Sequence, residues 1–109
     1  MEITKNKPEF DKRQIKLIRE IIVAVKNTLA ESSVSLDEQA DLTGDIAFSI
    51  ASIIDGSRVM QADGRPLVPV LAFAENAQRT KLLVTEGGSF MHEYVFSTVD
   101  DVYDADFAC

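Results

Sequence analysis

His92 is the only histidine in the 109-residue chain, and it stands beside a carboxylate, Glu93, and three positions after Ser89. An imidazole within reach of a hydroxyl and an acid is the minimum set for general-base or nucleophilic chemistry. The stretch Gly87-Gly88-Ser89 shares the opening of a serine-hydrolase turn, but Phe90 and Met91 stand where its closing glycine belongs. Glycines ahead of a helix could also offer backbone amides to an anion. No lysine follows in a phosphate-loop pattern, however, and Glu86 adds a negative charge beside the site. A turn followed by a helix cap accounts for these residues without a ligand. Gly87, Gly88, Ser89, His92 and Glu93 are therefore the candidate ligand-binding residues, and no catalytic residue is assigned.

Metal chemistry lacks ligands. His92-Glu93 is the first half of a zinc-protease helix motif, but Phe96 occupies the place of the second histidine. The one cysteine, Cys109, is the last residue, so no internal disulfide or cysteine-based metal site can form within one chain. Asp100, Asp101, Asp104 and Asp106 crowd the C-terminal stretch without the central glycine and closing glutamate of an EF-hand. Asp37, Glu38, Asp41 and Asp45 recur at helical spacing, which reads as a hydrated face. No metal and no cofactor are expected.

These residues need elements to position them. Apolar residues at Ile15, Ile18, Ile22, Val25 and Leu29, after Phe10 and a Pro8 suited to a first helical turn, define an amphipathic helix. A second row, Leu17, Ile21 and Ala24, widens its apolar face beyond one seam, enough to touch two neighbours. One of these could be a second copy of the protein, or the second helix could cover the row. That second helix starts at the Ser35-x-x-Glu38 capping box and stops at Gly56, with Gly44 inside it as a site for a kink. Residues 58–62 read as a strand, Asp63-Gly64 as a two-residue hairpin turn, and 67–75 as the central strand of a small sheet, covered on both faces. Lys81, Leu82, Leu83, Val84 and Thr85 form a third strand. Residues 1–7 read as frayed.

From Ser89 to Asp104 the pattern fits one helix capped by Ser89, or a strand over 90–96 followed by a short helix; the single helix is preferred. Its polar face, His92, Glu93, Ser97, Asp100, Asp101 and Asp104, turns the imidazole toward water. On that basis His92→Gln is expected to shift stability by no more than about 0.5 kcal/mol. The stretch from Asp104 to Cys109 is expected to be loose. The fold class is α+β in the order α-α-β-β-β-α, as one domain over residues 1–109.

Charge narrows the partners. The net charge is -7, with seven basic against four acidic side chains in residues 1–30 and four against fourteen in the rest. An acidic body repels phosphates, so nucleic acid is disfavoured. No apolar run approaches a membrane span, the N-terminus lacks the order of a signal peptide, and a cytoplasmic home is the expectation. The leading expectation is a small non-catalytic interaction or regulatory module, a homodimer through Ile15, Ile18, Ile22, Val25 and Leu29, with a basic protein as a further partner. The alternative is a small enzyme or ligand-binding protein with a pocket near residues 87–93. An enzyme would gather His92, Ser89 and an acid around a cavity, whereas an interaction module would present a flat apolar patch.

Overall fold

A computed structural model of the protein describes residues 1–107, with side chains through Asp104. The side chain of Asp106 and the residue Cys109 lie outside this description. The order is β1 (Glu2–Lys5), α1 (Lys7–Ala30), α2 (Leu36–Ile54), β2 (Met60–Ala62), β3 (Arg65–Leu67), β4 (Phe73–Ala74), β5 (Lys81–Val84), a 3-10 turn (Met91–Tyr94) and α3 (Val95–Phe107). The class is α+β, but the sheet is mixed and its order is β1-β5-β4, with β2 and β3 forming a separate two-stranded ribbon. The expected three-stranded antiparallel meander is not formed.

The helices follow their local signals. Asn6 caps α1 by accepting the Glu9 amide at 3.2 Å, ahead of Pro8 in the first turn. Ser35 caps α2 by accepting the Glu38 amide at 3.3 Å. Both helices bury one stripe against α3 and the 3-10 turn, in a core of Ile18, Ile22, Ala47, Ala51, Met91, Val95, Val99, Val102 and Tyr103. A hydrogen bond of 2.8 Å between Thr43 and Tyr103 hydroxyls ties α2 to α3 inside that core. Burial in a dry interior requires both hydroxyls to have a partner, and this pairing gives each one. Gly44 produces no break, since α2 is continuous through it.

Three strand expectations change. Residues 1–7 are not frayed: β1 pairs in parallel with β5, Ile3 opposite Leu82 and Thr4 opposite Leu83. A parallel pair needs a long connection, and the helices and hairpins between β1 and β5 supply it. The central strand is therefore β5, with β4 antiparallel on its other edge. Residues 67–75 are not a covered central strand. Only their ends are strand, and Val70 between them is 73% exposed. Pro66 and Pro69 have no amide hydrogen to give a ladder, which forces the run to the periphery despite its apolar sequence.

The hairpin turn is where it was expected. Asp63 and Gly64 take φ of 54° and 75°, and Ala62 pairs with Arg65 across them. A Cβ on Gly64 would meet nothing within 4 Å, so a substitution there is strained only by its backbone. Gly64→Val is expected to lower stability by about 1 kcal/mol through the positive φ that a β-branched residue resists. Denaturant midpoint and the amide shifts of β2 and β3 check it; no change in either would mean the turn is not populated.

Candidate functional site

α2 ends in an unusual way. Its C-cap is Asp55, a carboxylate at the helix end where the macrodipole favours a cation, and the side chain is only 1% exposed. Three donors offset that double penalty. Ser89 donates its hydroxyl to Oδ1, while His92 donates its backbone amide at 2.8 Å and its ring Nδ1 at 2.6 Å to Oδ2. An ionised carboxylate only accepts, so the Nδ1 proton is fixed on the Asp55 side of the ring and Nε2 is the free edge.

Gly87 and Gly88, both with positive φ, turn the chain from β5 into Ser89. Gln14 of α1 holds the same loop from the other side, accepting the Phe90 amide at 2.9 Å. Glu86, ahead of the glycines, pairs with Lys5 at 2.9 Å, and this hydrogen bond holds its carboxyl below the ordinary carboxylate range. The loop over 86–92 is thus fastened to β1, α1 and α2.

Ser89 is not the expected N-cap. It is buried and bonded to Asp55, and the amide at the start of the 3-10 turn is capped from α2 instead. His92 does not face open water: its side chain is 25% exposed, with the Phe48 ring edge-on at 5.9 Å. Glu93, its sequence neighbour, is exposed and takes no part in the cluster. The acid that matters is Asp55.

The cluster gathers a serine, a histidine and an aspartate, but not in series. A nucleophile passes its proton to the base, which a third group orients. Here Ser89 and His92 bond the same carboxylate in parallel, and the serine oxygen is buried where no substrate meets it. The carboxylate also takes the amide and hydroxyl that an external anion would use. Ser89, His92 and Asp55 line neither the groove between α1 and α2 nor the pocket between α2 and α3. Chemically the arrangement is a latch between α2 and the start of α3, with an oriented imidazole at its rim. Among the described residues no group of three or more histidine, cysteine, aspartate or glutamate side chains is placed to hold a metal ion.

The interface candidates divide. Ile18 and Ile22 are fully buried in the monomer core, whereas Ile15 is exposed. Val25 and Leu29 line an apolar groove of about 260 Å³ with Ala24 and Thr28 of α1 and Ile46 of α2. Among the described residues, none of α3 lines it. Leu42, Ile46 and Ile53, at spacings of four and seven along α2, remain at the surface on that side, Ile46 at 38%.

The sequence reading missed Asp55, Gln14 and a row of surface aromatics. Gln14 carried a signal, a polar residue four positions from both Phe10 and Ile18 on the buried stripe. Asp55 carried one too, as an acid at a helix C-terminus. The aromatics, Phe48, Phe90 and Phe96, had none, since exposed and buried phenylalanines look alike in a sequence.

Among the described residues no helix is long and apolar enough to cross a membrane. The chain matches no protein-family model, no curated protein and no solved structure.

Proposed function

We propose that the protein is a small non-catalytic interaction or regulatory module that pairs with a second copy of itself across the open side of α1 and α2. The observation that carries the proposal is that side's composition. α3 covers one flank of the helical hairpin, and the other keeps an apolar groove with the Leu42, Ile46 and Ile53 stripe beside it. Contiguous apolar surface of this kind is what association surfaces are made of.

Charge favours the same occupant. α1 carries Lys12, Arg13, Lys16 and Arg19, while the first turn of α2 carries Asp37 and Glu38. A two-fold arrangement laying α1 along the other copy's α2 sets opposite charges at the rim. The acidic body argues against nucleic acid as a partner and leaves a basic protein as the second class. An enzymatic role near residues 87–93 has the oriented imidazole in its favour and the buried Ser89 hydroxyl against it. A cytoplasmic home goes with the interaction reading.

Sedimentation at micromolar concentration is expected to show a dimer. Ile46→Glu should weaken it by more than about tenfold, as loss of a central apolar contact does, with an unchanged circular dichroism spectrum. A strictly monomeric wild type would overturn the reading.

A further inference from the structure

On the opposite flank of α2, three aromatic rings stand at the surface. Phe96 stacks on Phe48 with centroids 5.7 Å apart and planes 26° off parallel, and the His92 ring stands edge-on to Phe48. Phe90 lies beyond, 6.5 Å from the His92 ring. Phe96 is 54% exposed although its ring is held close to the backbone. Gly44 explains the close approach, because a Cβ there would lie 3.0 Å from Phe96 Cε1. Leaving a large ring this exposed forgoes about half of its burial energy, and here the ring forms the wall of a pocket.

That pocket holds about 320 Å³ and is lined by Ala40, Asp41, Gly44, Asp45, Phe96, Val99 and Asp100. None of Asp41, Asp45 and Asp100 takes part in any of the described ion pairs. An aromatic wall with three carboxylates around it has the complement of a flat cation. The face of a phenyl ring attracts positive charge, and a guanidinium can lie on that face while its edge N–H groups bond carboxylates. An ammonium offers a point charge and no plane to stack.

We propose that this pocket receives the guanidinium of an arginine carried by a basic segment of another protein, stacked on Phe96 and paired with Asp41, Asp45 and Asp100. The proposal rests on reading the chain as an interaction module, and does not depend on its self-association. An acidic or phosphate-bearing partner is repelled by the same carboxylates.

The experiment titrates the isotope-labelled full chain with three twelve-residue peptides, alternating glycine with arginine, with lysine or with glutamate, followed by NMR. The arginine peptide should bind and shift the amides of Gly44, Phe96 and Asp100. The lysine peptide should bind several-fold more weakly, and the glutamate peptide not at all. Phe96→Ala and the double variant Asp41→Asn/Asp100→Asn should each weaken arginine-peptide binding by roughly threefold or more, the size expected of exposed cation–π and ion-pair contacts. Gly44→Ala, which displaces the ring without deleting it, should weaken it as well. Ile46→Glu should bind as wild type does, and binding by a strictly monomeric wild type supports this site while overturning only the dimer. Undiminished binding in both the Phe96→Ala and the double aspartate variants, equal binding of the arginine and lysine peptides, or shifts confined to other surfaces would overturn it.

Discussion

Asp55→Ala is expected to destabilise the protein by about 3 kcal/mol. Two of the three donors it leaves behind, the Ser89 hydroxyl and the His92 amide, sit at a buried carboxylate. A buried donor stripped of its acceptor costs about 1–3 kcal/mol. The third, the His92 ring, is part-exposed and can turn to water. Removing an anion from a helix C-terminus returns roughly 0.3–1 kcal/mol, which trims the loss without cancelling it. Asp55→Asn keeps one acceptor oxygen where two now serve, so it should fall between alanine and wild type. His92→Gln keeps the amide bond and loses the ring bond, for about 1 kcal/mol. That exceeds the 0.5 kcal/mol expected of a solvated histidine. Urea midpoints for the three variants check the order, and a wild-type midpoint in Asp55→Ala would show that the latch does not hold in solution.

How much of this was legible in the sequence depends on the distance over which each signal acts. α1 and α2 could be read because their stripes repeat over five or more turns and the signals at their ends, Pro8 for α1 and Ser35 and Gly56 for α2, are local. The Asp63-Gly64 turn is a two-residue signal and was equally plain. β1 was not, because a four-residue strand with one apolar side chain, Ile3, has no measurable period, and the strand it pairs with, Lys81–Val84, lies beyond both long helices. The run at 67–75 misled in the other direction. Two apolar faces suggested a strand covered on both sides, but the two prolines argue for an edge.

The candidate site failed in the same way. His92 and Ser89 were picked out by type, and Glu93 was taken as the acid because it is adjacent. Adjacent residues on a helix point apart, and the carboxylate that both groups bond comes from the end of another helix, 37 residues from His92. Only the close of α2 against the 3-10 turn brings it there. Polar positions inside apolar stripes, as at Gln14 and Thr43, were the readable trace of that packing.

Ile18→Lys is expected to abolish folding. The sequence grouped Ile15, Ile18, Ile22, Val25 and Leu29 as one seam for a partner, but Ile18 has no exposed surface and packs in the core formed by all three helices. Truncating such a side chain to alanine costs about 2–5 kcal/mol. Lysine puts an ammonium among those apolar side chains, and burying a charge there costs several kcal/mol more. A chain of this length has a net stability of about 5–15 kcal/mol, so the sum removes most or all of it. The variant would also sediment as something other than a native dimer, for reasons unrelated to any interface. Ile15→Lys, on the exposed part of the same stripe, should stay within about 0.5 kcal/mol of wild type, and Ile46→Glu should keep the fold and lose the partner. Far-ultraviolet circular dichroism with urea titration separates the three. A cooperative native transition in Ile18→Lys would place α1's seam back at the surface and return Ile18 to the list of contacts between copies.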